Sequence, residues 1–270
     1  MIPAKFDYVA AESPAHAISL LAEHGDDAKL LAGGHSLLPM MKLRLAMPEL
    51  LIDIGGLGEL AGVSTDGADL VIGATTRHAD LAASALALAE APLLAYAAAQ
   101  VGDPQIRHRG TIGGSLSHAD PAADLPMALV ALGGWLVLQG PSGTRTVTAD
   151  EFFEGYFETA MQPDELLIAV RVPRRPGVPW GYQKFVRRAN DWAIVGAAAV
   201  DGRIALANMG PTPLRATAAE EALAGGASAA EAAVYAADGT SPGEDMHADR
   251  EYRRHLARVL TRRALEHQAG

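Results

Sequence analysis

Two Gly-Gly pairs, Gly33-Gly34 and Gly113-Gly114, stand eighty residues apart in this 270-residue chain. Each follows a short apolar or β-branched run and runs on into hydroxyl-bearing residues: LLAGGHSLL (30–38) and GTIGGSLSH (110–118). Glycine has no Cβ, so its backbone enters the left-handed region and approaches a ligand closely. Consecutive amides in such a turn form a concave nest for anionic oxygens. Ser36 is placed to cap a short helix from Leu37, which brings the positive end of that helix to the same point. A lone Gly-Gly after a strand is more often a plain turn. Neither pair is followed by the Lys-Ser/Thr of a P-loop and neither fits Gly-X-Gly-X-X-Gly, so neither of those nucleotide signatures is supported.

The surrounding pattern is α+β. Ser13-Pro14 reads as an N-cap and first helical residue, and Gly25 as the stop. Short strands are expected at 28–34 and 49–56, a strand-rich stretch from 68, and two Ala/Leu helices around 79–90 and 92–101. Residues 100–126, QVGDPQIRHRGTIGGSLSHADPAADLP, read as a long functional loop rich in turn residues. A short helix is expected at 125–132, two strands over 135–148 and one over 165–173. The proline-rich PRRPGVP (173–179) is the linker candidate. Beyond it, Asp201-Gly202 marks a hairpin within 192–210, and helices follow at about 214–224 and 228–237. A last helix carries Tyr252, Leu256, Val259 and Leu260 on one face and Arg250, Arg254, Arg258 and Arg262 on a solvated one.

With 49% hydrophobic residues the chain has ample core material, and its net charge of −10 argues against nucleic acid as a partner. There is no cysteine, which excludes disulfides, cysteine nucleophiles and cysteine-ligated iron–sulfur clusters from the chain. No basic-then-apolar leader and no apolar run long enough for a membrane span is visible, so a cytoplasmic protein is expected. No metal-ligating cluster and no catalytic acid–base pair or nucleophile stands out.

AGGHSLLPMMKLR and QIRHRGTIGGSLSHADPAADLP, in this order and spacing, resemble the FAD-binding medium subunits of molybdenum hydroxylases, the group that contains aerobic carbon monoxide dehydrogenase and xanthine dehydrogenase. DELLIAVRVP (164–173), KFVRRANDWAIVGAAA (184–199), GPTPLRA (210–216) and EYRRHLARVLTRRALE (251–266) match as well, so the resemblance covers nearly the whole chain. It implies a two-part FAD-binding domain of the vanillyl-alcohol-oxidase type over 1–173, with subdomains of about 1–55 and 56–173. A linker at 174–179 and a smaller α+β domain over 180–270, an antiparallel sheet with helices, complete the chain.

The resemblance further implies that Ala32, Gly33, Gly34, His35, Ser36 and Leu37 on one side, and Thr111, Gly113, Gly114 and Ser115 on the other, clasp the pyrophosphate of noncovalently held FAD. Asp124 matches an aspartate that contacts the ribityl or adenosine part, with an N-cap as its plain structural role. Asp120 is a weaker candidate of the same kind, Leu167 matches an apolar residue near the flavin ring, and Lys184 a lysine that approaches it. His108 stands where the family commonly has asparagine, and the roles of His35, His118, Arg107 and Arg109 are left open. The implied function is electron relay. A large molybdopterin subunit hydroxylates the substrate, a small subunit with two 2Fe-2S clusters passes the electrons on, and the flavin delivers them to an external acceptor. The implied assembly is a heterotrimer that is open to dimerisation. The competing readings are a free-standing FAD-dependent oxidoreductase of the same fold and a scaffold that has lost FAD.

Overall fold

The computed structural model describes residues 2–269. Local chemistry sets the opening helix, Pro14–His24: the Ser13 hydroxyl accepts the amide of His16, proline occupies the first turn, and Gly25 ends the helix at φ +54°. That helix returns the chain from β1 (Asp7–Ala10) to β2 (Ala28–Leu31), and β3 (Leu50–Asp53) lies between them, parallel to both. Parallel neighbours require crossovers of this kind. The first glycine pair therefore leaves the C-terminal end of edge strand β2.

The middle of the chain builds a five-stranded antiparallel sheet. β4 (Val63–Asp66) and β5 (Asp69–Gly73) form one hairpin, and β6 (Trp135–Gly140) and β7 (Gly143–Thr148) another. A small hairpin of β8 (Phe153–Gly155) and β9 (Glu158–Thr159) precedes β10 (Leu166–Pro173), which inserts between β5 and β6. The register of β10 on β6 shifts between Leu167 and Ala169, a bulge that re-aims side chains beside the cavity described below.

The last sheet is a meander of β11 (Trp180–Phe185), β12 (Val195–Val200), β13 (Arg203–Ala207) and β14 (Leu214–Arg215). Asp201 and Gly202 turn β12 into β13, both with φ > 0, as a two-residue hairpin of this hand requires. Every residue of β12 is buried because both faces are covered. Ala198 and Val200 join the core around the helix Asp124–Leu132, while Val195, Ala197 and Ala199 pack with Leu256, Ala257, Leu260 and Ala264 of the helix Arg250–Glu266. All nine residues of the Asp124–Leu132 helix are buried. Each of its large apolar side chains contributes about 1.5–3 kcal/mol by burial, and the middle and last sheets thereby share one core.

Several expectations need correction. The 100–126 stretch is no loop: it holds the helices Pro104–Arg109 and Ile112–His118 and the start of Asp124–Leu132. Thr111 and Asp103 cap the first two through side-chain oxygens, and these local bonds outweigh the helix-breaking glycines. The helix expected over 79–90 is split at Ser84, whose hydroxyl caps a second helix, Ala85–Glu90. The segment expected as a helix from 214 begins as β14, and only Thr217–Ala224 is helical. On the last helix Tyr252 is exposed and Val259 half-buried; the buried stripe is Arg253, Leu256, Ala257, Leu260, Thr261 and Ala264. The 174–179 stretch is irregular but pinned, with Arg174 paired to Glu90 and Arg175 to Asp201.

Candidate functional site

A cavity of about 490 Å³ is lined by both glycine segments. Ala32 to Leu37 form one wall; Gly110, Thr111 and Gly113 to Ser115 form the next; Leu166 and Leu167 of β10 line it with Asp120 and Trp192. The walls touch. A Cβ on Gly33 would stand 2.5 Å from the Arg109 carbonyl oxygen and 2.7 Å from Gly110 Cα. Gly33 is thus required by the approach of one segment to the other, a reason distinct from ligand contact.

Accounting for the amides separates the two pairs. Among the described residues, the N–H groups of Gly33, Gly34, His35, Ser36 and Leu37 have no acceptor. Five successive free donors beside a cavity, with Gly34 at φ +75°, form a nest of the kind that holds anionic oxygens. Ser36 does not cap the helix Leu37–Lys42, contrary to expectation: its backbone is itself helical and its side chain makes no capping bond.

The second pair lies in the first turn of the Ile112–His118 helix, where the amides of residues 112–115 are engaged. Ile112 N donates to Thr76 O, Gly113 N to Ala74 O at 2.8 Å, Gly114 N to the Thr111 hydroxyl at 3.2 Å and Ser115 N to Thr111 O. A Cβ on Gly113 would meet the Ala74 carbonyl oxygen at 2.6 Å, so this glycine seats the helix against the end of β5. The Ser115 side chain lines the cavity without a protein partner among the described residues.

Asp120 lies in the wall, its Oδ1 accepting the Ala122 amide at 2.8 Å in a short turn. Leu167 lines the cavity and is itself buried. Asp124 and Lys184 are absent from the lining. Asp124 does not cap its helix but opens its first turn, buried, with Lys184 Nζ at 2.9 Å from Oδ1 and 3.0 Å from Oδ2, and the Tyr182 hydroxyl donating to it. Burial pushes the Asp124 carboxyl above its ordinary range against the opposing pull of Lys184 and Tyr182. Lys184 also donates to Gln100 O at 3.3 Å. These bonds tie β11 to the buried Asp124–Leu132 helix.

Of the open residues, His35 is exposed on the nest, and Arg107 holds the turn before its helix by donating to the carbonyls of Val101 and Gly102, both at 2.9 Å. His118 lines the cavity with its ring 5.1 Å from that of Phe157, and burial lowers its pKa. Two wall residues were not singled out from sequence. His78 is buried against Gly110, its amide donating to Gly110 O at 2.9 Å. Burial first, then the positive charges of His35 and Arg107, lower its pKa to about 4, so it is neutral at pH 7. Trp192 reaches the cavity from the loop between β11 and β12 and remains 53% exposed. Periodicity marks neither residue: His78 opens the short helix His78–Ala83, and Trp192 sits in a loop.

The donor set fits a flavin dinucleotide: free amides for a diphosphate, and apolar side chains and an indole in the same lining for a flat ring. Residues 4–175 match the family described as the FAD binding domain in molybdopterin dehydrogenase, and residues 180–268 that of the CO dehydrogenase flavoprotein C-terminal domain. The chain is 45% identical to the carbon monoxide dehydrogenase medium chain of Hydrogenophaga pseudoflava, over 98% of this chain and 97% of that one. It is 40% identical to the 6-hydroxypseudooxynicotine dehydrogenase complex subunit alpha of Paenarthrobacter nicotinovorans, over 98% and 95%. Its fold superposes with a TM-score of 0.95 on a chain of the Hydrogenophaga pseudoflava carbon monoxide dehydrogenase that lacks the Mo-pyranopterin moiety, at 46% identity and 98% coverage of both.

Proposed function

The chain belongs to the family of FAD-binding medium subunits of molybdenum hydroxylases, and from that premise we propose that it holds FAD by the amides of residues 33–37 and relays electrons within a multi-subunit complex. The observation that carries the binding mode is the run of five amides without acceptors, set where Gly33 packs on Gly110. Hydrogen bonds to a charged group contribute about 1.5–3 kcal/mol each, enough to hold a diphosphate on a chain of net charge −10.

FAD, when bound, supplies the capacity to take up electrons and hand them on. This chain's residues bind and orient it. The 33–37 nest and the Ser115 hydroxyl hold the diphosphate. Leu167 would offer an apolar surface to the ring and keep water from one side, with Trp192 and Asp120 bordering that end of the cavity. Asp124, Lys184 and Tyr182 act behind the wall by fixing the last sheet against it.

With no cysteine in the chain, iron–sulfur clusters ligated by cysteine sit on a partner subunit, and the molybdopterin on another. The arrangement we favour is a heterotrimer located in the cytoplasm that delivers electrons to an external acceptor. Relatives named for carbon monoxide and for 6-hydroxypseudooxynicotine both match this chain over nearly its whole length, which supports substrate choice by another subunit. The match through residue 268 supports a subunit over a free-standing oxidoreductase. Among the described residues no helix is long and apolar enough to cross a membrane.

The test is a titration of the purified chain with FAD after free flavin is removed. We expect one flavin per chain, released as intact FAD on denaturation. A chain that stays colourless in excess FAD, alone and with its copurified partners, would overturn the reading.

A further inference from the structure

A second cavity of about 460 Å³ abuts the first, and the two share only Asp120 and Trp192 in their walls. These two side chains come from opposite parts of the molecule: Asp120 follows the Ile112–His118 helix, and Trp192 precedes β12. Both stand on irregular backbone, so something else must fix their separation.

One residue contacts both stretches. Asn208, just past β13, donates its amide to Pro121 O at 2.7 Å, one residue from Asp120. Its side-chain Nδ2 donates to Ala193 O at 2.8 Å and Ile194 O at 3.3 Å, directly after Trp192. Its backbone is left-handed, φ +60°, a conformation that asparagine tolerates better than most side chains. Among the described residues, the only further backbone bond between the two stretches is the long Ala193 N to Ala122 O contact of 3.4 Å. Buried Arg253 reaches the same Ile194 carbonyl from the last helix but is engaged on its other side by Asp245.

We propose that Asn208 is a positioning residue that holds Trp192 and Asp120 together as the partition between the flavin-ring end of the first cavity and the second cavity, and so sets how freely solutes in the second reach the ring. The inference rests on the reading that the first cavity holds FAD. The position of the partition itself does not.

Two variants separate the side-chain bonds from the backbone conformation. Asn208→Gly keeps the left-handed backbone and removes the side chain, and Asn208→Asp keeps the shape and removes the N–H donors. In the ¹⁵N-labelled full chain, with the three indole resonances assigned through Trp192→Phe, both variants move or broaden the Trp192 resonance and leave those of Trp135 and Trp180 in place. In the FAD-loaded chain both raise the quenching of flavin fluorescence by acrylamide several-fold while the thermal midpoint stays near that of the parent. An unmoved Trp192 resonance in both variants overturns the proposal, and so does a moved resonance with unchanged quenching of bound flavin. Failure to take up any flavin counts against the proposed function, and the indole spectrum then decides the partition by itself.

Discussion

Gly33-Gly34 and Gly113-Gly114 border the same cavity, yet among the described residues the amides of Gly33 to Leu37 have no acceptor, while those of Ile112 to Ser115 are bonded within the protein. The first lies in an irregular turn after an edge strand, where no ladder or helix claims its donors. The second lies in the first turn of a helix, where the exposed N–H groups would ordinarily be unpaired. Here Thr76, Ala74 and Thr111 have taken those of Ile112, Gly113, Gly114 and Ser115. Like sequences thus serve unlike purposes: a donor nest in one case, a seat for a helix against a strand end in the other. Gly33 does both, since its missing Cβ also admits the Arg109–Gly110 backbone.

The largest effect is expected at that shared point. Gly33→Val drives a side chain into Arg109 O and Gly110 Cα, should abolish measurable FAD binding, and should lower stability by about 1–3 kcal/mol, as overpacking does. Gly113→Ala, which collides with Ala74 O, should lose comparable stability. Its folded fraction should still bind FAD within about threefold of the parent, or roughly 0.7 kcal/mol. Isothermal titration beside urea unfolding distinguishes the two, and equal loss of affinity in both would break the comparison.

A pH test probes the junction of the segments at His78. Its folded pKa is about 4 against 6.5 unfolded. Between those values the unfolded chain binds a proton that the folded chain refuses, so stability is full above pH 6.5 and falls as the pH drops toward 4. The loss is about 3 kcal/mol at 1.36 kcal/mol per unit. Urea midpoints at pH 7 and pH 4.5 measure it, and His78→Leu should flatten the dependence. A smaller effect is expected from Thr111→Ala, which removes the cap on Gly114 N: about 1 kcal/mol of stability. Its FAD affinity should be nearly unchanged in the same titration.

Most of the fold was legible because it rests on local rules: Ser13-Pro14 starts a helix and Asp201-Gly202 turns a hairpin. The 100–126 stretch misled because its glycines and prolines signal turns, while the caps that make it helical depend on Thr111 and Asp103 taking backbone partners. Within the site, the residues of the two glycine segments were legible as a linear pattern. The division of labour between them was not, since it depends on where Ala74, Thr76 and Gly110 lie in space. His78 and Trp192 escaped for the same reason. That Asp124 and Lys184 meet as a buried pair with Tyr182 was not legible either, because sixty residues separate them in the chain. Removing one partner of such a pair is costly whatever binds nearby.

The central claim is that the first glycine segment donates its amides to the diphosphate and the second does not. The most direct measurement is a ¹H–¹⁵N spectrum of the labelled chain titrated with FAD. The account predicts large downfield shifts of the Gly33 to Leu37 amides and small ones for Ile112 to Ser115. Equal shifts in both segments, or larger ones in the second, would contradict it.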